Sequence, residues 1–107
     1  MKGDRLGEFE ELLLLAIYAL GDDTYGVPVQ QYVERATRRN VSMGAVYAAL
    51  DRLERKGFVR SLTGEATAVR GGKRKRHFSI TSEGRQVLRD VRAVREHLWR
   101  TIEESRS

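Results

Sequence analysis

The chain has 107 residues, with 20 Lys and Arg against 15 Asp and Glu, which gives a formal net charge of +5. This length fits one domain with a modest core, and a small basic protein is attracted to polyanions such as nucleic acids. The absence of cysteine excludes disulfides, thiolate nucleophiles and most zinc sites, and no apolar run approaches the ~20 residues that cross a bilayer. We therefore expect a cytoplasmic protein with no membrane partner.

Residues 8–20 are predicted to form the first helix. Its first turn is acidic, which suits the helix dipole, and Gly21 follows as a favourable stop. The helix is apolar on nearly every side, so both of its sides must be covered. Because a domain this small covers one side, we assign Leu13 and Ile17 to a contact with a second subunit.

Two further helices are predicted at 26 to about 39 and at 42–56, separated by a short break. Ser42 is a favourable N-cap, and Gly57 ends the third helix. The inner face of that helix consists of Val46, Leu50 and Leu53, spaced four and three residues apart. This is the layout of a helix-turn-helix, although many small helical proteins share it.

The outer face of the third helix carries small residues near its start, which would let it enter a DNA groove. An alternative is that small residues merely allow close helix packing, and this face alone favours neither. Asp51 would repel DNA, so we expect it to pair with Arg52, Arg55 or a cation of the following hairpin. The candidates for contact with bases or adjacent phosphates are Ser42, Met43, Gly44, Ala45, Tyr47 and Ala48, with Arg52 on the phosphate backbone.

A hairpin is predicted over residues 58–80, with strands at 58–62 and 77–80. Residues 70–77 contain five Lys and Arg and no acid, so the tip of the hairpin is strongly basic. A basic hairpin after a helix pair is what a winged helix-turn-helix needs to hold DNA, because its loop reaches the neighbouring phosphates. The alternative is a solvated turn that happens to be basic. The candidate contacts with phosphate or the minor groove are Lys73, Arg74, Lys75 and Arg76.

The last helix is predicted to begin at a Thr81 or Ser82 cap and to run to about Glu104. Its apolar stripe is too long for the small domain to cover, so we expect the helix to pack on its mate in a homodimer. The alternative is a helix that folds back on its own domain. The stripe, assigned to the dimer interface, consists of Val87, Val91, Val94, Leu98, Trp99 and Ile102.

Several motifs, taken in this order, resemble a PadR-family transcriptional regulator of the short subfamily. The resemblance extends from Leu6 to about Arg95. It rests on Leu6-Gly7-Glu8-Phe9-Glu10, Tyr25-Gly26, Val41-Ser42-Met43-Gly44-Ala45-Val46-Tyr47, Leu50-Asp51-Arg52-Leu53-Glu54-Arg55-Lys56-Gly57, Arg70-Gly71-Gly72-Lys73-Arg74-Lys75-Arg76 and Phe78-Ser79-Ile80-Thr81-Ser82-Glu83-Gly84.

The resemblance implies a winged helix fold, a homodimer joined through the terminal helices and binding to palindromic operators, usually as a repressor. Some relatives admit planar apolar ligands between the subunits, so Trp99 becomes a candidate for ligand stacking beside its packing role. Two residues depart from the family pattern. His77 stands where an aromatic such as Tyr is common, and Met43 is bulky where many relatives have small or polar residues.

We thus predict a mainly α fold with a two-stranded β-wing, a winged helix-turn-helix with a long C-terminal dimerisation helix. Residues 1–81 would bind DNA and residues 82–107 would dimerise. No cofactor, metal or catalytic residue is predicted, since His77 and His97 lie on different elements without ligand spacing. Two alternatives to the regulator stay open: an adaptor that binds an acidic protein, and an RNA-binding protein, although no aromatic platform lies near the cations.

Overall fold

The structure, a computed structural model, describes residues 5–63 and 75–106. In chain order these residues form α1 (Glu8–Leu20), β1 (Thr24–Tyr25), α2 (Gly26–Thr37), α3 (Met43–Arg55), β2 (Val59–Thr63), β3 (Arg76–Ile80) and α4 (Ser82–Arg106). The mainly helical class is confirmed, and the bounds of the first helix are as predicted. The other helices begin and end within two residues of their predicted positions.

Local sequence signals account for these helix ends. The Gly7 N–H donates to the Glu10 carboxylate at 2.8 Å at the start of α1, and Gly21 follows α1 with a positive φ of 93°. Ser42 caps α3 by accepting from the Ala45 N–H at 3.0 Å, as predicted. Helix α2 ends two residues early because Arg38 takes a left-handed φ of 59°.

The sheet has three strands rather than the two that were predicted. The strand order is β1-β3-β2, all antiparallel, with Thr24 opposite Phe78 in the missed pairing. A strand of two residues is too short to show alternation in a sequence, so only the pairing with β3 reveals it. In the β2–β3 hairpin, which we call the wing, Val59 lies opposite Ile80 and Ser61 opposite Phe78.

A core lies between α1, α2 and α3 and the inner face of the sheet, and we call these elements together the head. Its fully buried members come from α1, α2, α3 and β3, and the largest of these side chains are Phe78, Leu13, Leu14, Ile17, Leu50 and Leu53. Helix α1 therefore crosses the centre of the subunit and contacts α2, α3, β3 and α4. This central position explains why its sequence is apolar on so many sides.

Helix α4 packs its buried residues on the head in its first turns, and farther along Arg95 bonds to Glu11 of α1. The Thr81 hydroxyl caps it by accepting from the Gly84 N–H at 3.0 Å, and Gly84 and Leu88 are buried. A side chain at position 84 would overlap the Phe58 carbonyl, so only glycine allows this close approach. From Arg92 onward every described residue of α4 is exposed. The helix projects from the head, and the longest dimension of the chain reaches 63 Å.

In the part of the chain that the structure describes, no helix combines the length and the apolar character needed to span a bilayer.

Candidate nucleic-acid interface

Helix α3 has one wholly buried side and one exposed side. Val46, Ala49, Leu50 and Leu53 are buried in the core, which fixes the rotation of the helix about its own axis. On the other side Ser42, Gly44, Ala45, Tyr47 and Ala48 are exposed, and Met43 is half-buried. The candidates predicted to approach bases therefore share one accessible surface at the N-terminal half of α3.

The Tyr47 side chain reaches from α3 to the start of α2. Its ring and hydroxyl occupy the space beside Gly26, so a side chain at position 26 would displace the Tyr47 ring. The methyl group of Met43 approaches the same point. Two members of the accessible surface are thereby held by packing, while the Tyr47 side chain keeps an exposed part.

The two acids on the C-terminal half of α3 are neutralised from the wing. Arg76 donates to Asp51 Oδ1 at 2.9 Å and to Glu54 Oε1 at 2.5 Å, and the Ser61 hydroxyl donates to Glu54 Oε2 at 2.7 Å. The prediction that Asp51 pairs with a cation of the hairpin is confirmed. The bond from Ser61 is the main cause that lowers the pKa of Glu54, and Arg76 lowers it further against the effect of burial.

Arg52 in the last turn of α3 and Lys56 just after the helix are bound to a buried carboxylate on α1. Arg52 Nε lies 2.8 Å from Glu10 Oε2, and Lys56 Nζ lies 2.7 Å from Glu10 Oε1. Burial would raise the pKa of Glu10, but the bonds from Lys56, the Gly7 N–H and Arg52 outweigh it and lower that pKa. Arg52, predicted to contact the DNA backbone, thus has a carboxylate partner within its own subunit.

The predicted loop cations fall into three groups. Lys73 and Arg74 lie outside the described residues. Lys75 is exposed, and its ammonium group lies 4.3 Å from the centre of the Tyr25 ring. Arg76 points the other way, toward α3. The two cations of the stretch that the structure describes, Lys75 and Arg76, therefore lie on different sides of the strand.

His77 has local partners in the sheet. Its Nδ1 lies 2.8 Å from the Asp23 carbonyl oxygen, and its ring meets the Tyr25 ring edge-on at 5.9 Å. Over residues 5–63 and 75–106, no three His, Cys, Asp or Glu side chains come close enough together to hold a metal ion.

The predicted dimer residues divide between the core and the surface. Leu13 and Ile17 are 0% and 1% exposed, so their assignment to a subunit contact is wrong: the head itself covers them. Val87 and Val91 are half-buried, whereas Val94, Leu98, Trp99 and Ile102 are exposed. The exposed apolar side chains of α1 are instead Leu15, Tyr18 and Leu20. A helix that is apolar all round offers no period to tell these two sets apart.

Two grooves flank this exposed side of α1. The groove toward α2 is about 560 Å³ and is bounded by Leu12, Leu15, Tyr18, Tyr32 and Ala36. The groove toward α4 is about 260 Å³ and places Leu15 and Tyr18 near Trp99, with Arg85, Arg89 and Arg92 at its edge. Arg95 crosses from α4 to Glu11 at 2.8 Å.

Comparison with known proteins agrees with this architecture. The sequence profile described as "Transcriptional regulator PadR-like family" matches residues 14–90. A PadR-like transcription factor from Bacteroides fragilis superposes with a TM-score of 0.76 at 21% identity, covering 90% of this chain and 87% of the other. A transcriptional regulator from Clostridium thermocellum gives a TM-score of 0.68 at 23% identity, with 90% and 88% covered.

A third similar structure is that of Bacillus subtilis PadR in complex with operator DNA. Its TM-score is 0.63 at 20% identity, and the match covers 77% of this chain and 45% of the other. No curated protein matches the sequence. At these identities the structural likeness supports the winged helix fold, while the profile spans most of the chain. On that ground the chain belongs to the PadR-like family, whose members are transcriptional regulators and not enzymes.

Proposed function

We propose that this chain is a sequence-specific DNA-binding repressor that acts as a homodimer on a palindromic operator. The observation that carries the proposal is the division of α3 into a buried stripe and an exposed N-terminal face without acids. Ser42, Met43, Gly44, Ala45, Tyr47 and Ala48 would enter the major groove, where base edges are distinguishable. The two acids farther along α3 are held by Arg76, which reduces their repulsion of phosphate.

Cations beside this face would hold the phosphate backbone. Lys73, Arg74 and Lys75 in the loop of the wing are the proposed phosphate or minor-groove contacts, supported by their charge and by the exposure of Lys75. Arg52 remains a candidate because its side chain is 44% exposed although it is bound to Glu10. Arg76 would reach phosphate only by leaving Asp51 and Glu54.

The dimer is supported by apolar side chains that the subunit leaves uncovered. Leu98 and Trp99 are 54% and 63% exposed, and Val94 and Ile102 continue the same side of α4. Leu15 and Tyr18 continue this exposed apolar surface on α1, within the head. Single exposed apolar residues are ordinary, but a contiguous stripe of this length indicates an interface. We therefore assign residues 1–81 to DNA binding and residues 82–107 to dimerisation.

A planar apolar effector is the proposed means of relief from repression. Trp99 lies at the groove between α1 and α4 with Leu15 and Tyr18, and indole rings stack well on flat ligands. Titration with planar drugs or phenolic acids should change the fluorescence of Trp99, the one tryptophan of the chain. If no compound alters the emission, the effector part of the proposal fails.

Selection of duplexes from a random pool tests the DNA function directly. We expect enrichment of inverted repeats whose half-sites lie about one helical turn, roughly 34–36 Å, apart. A reporter promoter that carries the selected site should fall in output when the protein is expressed. Binding without sequence preference that disappears at moderate salt would favour the adaptor for an acidic protein instead.

Substitutions separate the two kinds of DNA contact. Replacing Lys73 and Arg74 with Ala should weaken binding to every duplex and flatten the salt slope by about one unit per lost phosphate contact. Changing Met43 or Ala45 should alter which site is preferred. If both pairs of substitutions change binding to all duplexes identically, the assignment of base contacts to α3 and of phosphate contacts to the loop is wrong.

A further inference from the structure

Strand alternation separates Arg76 from its neighbour Lys75 in the wing. Thr63 lies opposite Arg76, Ser61 opposite Phe78 and Val59 opposite Ile80, so these residues belong to the sheet face that covers the core. Phe78 and Ile80 are buried on that face, and the guanidinium carbon of Arg76 lies 4.9 Å from the centre of the Phe78 ring. Arg76 therefore points inward to α3, whereas Lys75 lies on the opposite side, against Tyr25.

The guanidinium of Arg76 joins three elements of the fold. Each of its two terminal nitrogens donates to a different carboxylate of α3, one to Asp51 at 2.9 Å and the other to Glu54 at 2.5 Å. Glu54 in turn accepts from Ser61 of β2. A planar fork suits two acceptors at once in a way that a lysine ammonium does not. The arrangement connects both strands of the wing to the helix that carries the candidate base contacts.

We propose that Arg76 is a positioning residue that fixes the wing on α3 and does not bind phosphate. The inference rests on the proposed DNA function, because it matters only where α3 and the wing act on the same duplex. Moving the guanidinium to a phosphate would leave Asp51 and Glu54 uncompensated beside the DNA, which opposes such a move. The orientation of the wing, and hence the reach of its outer cations, would depend on these two carboxylates.

Salt dependence of binding to a random-sequence duplex distinguishes positioning from phosphate contact. Arg76→Gln should weaken binding about three- to tenfold, the size expected from two partly exposed ion pairs. Its slope of log affinity against log salt should stay within a fraction of a unit of the wild-type slope. Lys75→Gln is the matched control, since it removes the neighbouring cation on the outer side and should lower the slope by about one. A drop of about one unit for Arg76→Gln would overturn the proposal.

Two further variants separate positioning from simple neutralisation of the acids. Arg76→Lys keeps the charge but loses the fork, so it should restore only part of the affinity. The triple variant Arg76→Gln, Asp51→Asn and Glu54→Gln removes the acids as well. If Arg76 only masked their charge, this variant would regain wild-type affinity or exceed it. We expect it to stay weaker than wild type, because the wing is still released, and full recovery would contradict the proposal.

Amide hydrogen exchange in the free protein tests the wing without DNA. Arg76→Gln should speed exchange about three- to tenfold in β2 and β3, with no change in α1, whose amides report global stability. Unchanged exchange in the strands, or an equal rise in both regions, would overturn the positioning role. If wild-type protein selects no duplex, the DNA function fails by itself, and the exchange result still decides whether Arg76 holds the wing.

Discussion

Helices α3 and α4 carry the same kind of apolar stripe, but the subunit covers the stripe of α4 only in its first turns. Val46, Leu50 and Leu53 of α3 are fully buried, while Val94, Leu98 and Ile102 of α4 are exposed. Both stripes have helical spacing, so periodicity alone cannot distinguish them. The difference teaches that periodicity identifies the face of a helix that needs cover, and that the fold decides whether the cover comes from the same molecule.

Substituting leucine on each stripe gives the largest contrast. Leu50→Ala should lower the free energy of unfolding by about 2–5 kcal/mol at any protein concentration, because it opens a cavity in a closed core. Leu98→Ala removes a side chain that is exposed in the subunit, so its effect should appear only at concentrations where a dimer forms. Urea unfolding at several protein concentrations measures both. An equal, concentration-independent loss for Leu98→Ala would mean that the subunit itself covers α4.

A charge on the stripe of α4 tests whether a second copy covers it. Leu98→Asp should give a monomer in sedimentation experiments and weaken operator binding about a hundredfold or more, since two linked half-sites become one. Ala93→Asp, on the other side of the same exposed helix segment, is the control and should remain dimeric. A dimeric Leu98→Asp protein would remove the terminal helix from the interface.

Substituting Glu10 tests how much its bonds between α1 and α3 contribute to the free energy of unfolding. Glu10→Gln should cost about 1–2 kcal/mol at pH 7, because it weakens charged hydrogen bonds at a carboxylate that is nearly buried. The folded-state pKa of Glu10 lies below its usual value, so its stabilisation is present above about pH 4.5 and is lost as the pH falls through the folded pKa. The difference between wild type and variant should therefore shrink at pH 3.

Glu11→Gln is the matched control for that experiment. Glu11 binds Arg95, whose side chain is largely exposed, so its removal should cost less than about 1 kcal/mol at pH 7. Urea titrations of both variants at pH 7 and pH 3 give the comparison. A loss for Glu10→Gln that is the same at both pH values would show that its charge contributes nothing.

A smaller effect than that of Glu10→Gln is expected at the cap of α3. Ser42→Ala removes the acceptor of the Ala45 N–H and should lower the free energy of unfolding by about 1 kcal/mol. Ser42→Asp keeps an acceptor at the N-cap and should restore most of that loss. Thermal unfolding followed by circular dichroism measures both variants. Identical melting temperatures for wild type and Ser42→Ala would mean that the cap bond adds no stability.

Local signals in the sequence predicted most of the fold. The acidic start of α1, the Ser42 cap and the apolar spacing of α3 each act over a few residues, so they can be recognised without knowing the fold. The sequence also indicated that Asp51 needs a cation partner, but it left Arg52, Arg55 and a cation of the hairpin open as that partner. Strand β1 could not be predicted, because two residues become a strand only when β3 lies beside them.

The candidate site was predictable as a surface but not as a set of contacts. Helical spacing selected the outward face of α3, and the structure exposes that face. Helical spacing could not show that Arg52 pairs with Glu10, which lies 42 positions earlier in the chain. Arg76 belonged to a uniform basic stretch until the register of β3 put it on the side of Phe78. The available signal was strand alternation: Arg76 precedes Phe78 by two residues and Ile80 by four, so the three share one face of the strand.

By itself, the sequence determined where the helices begin and end, which faces are apolar and where positive charge accumulates. These properties depend on neighbours within one or two turns of the chain. Only the tertiary structure decided that α1 lies at the centre of the subunit, so that Leu13 and Ile17 are core while Leu15 and Tyr18 are surface. It also decided which carboxylate each arginine meets, because those contacts join residues that are distant in the chain and adjacent only after packing.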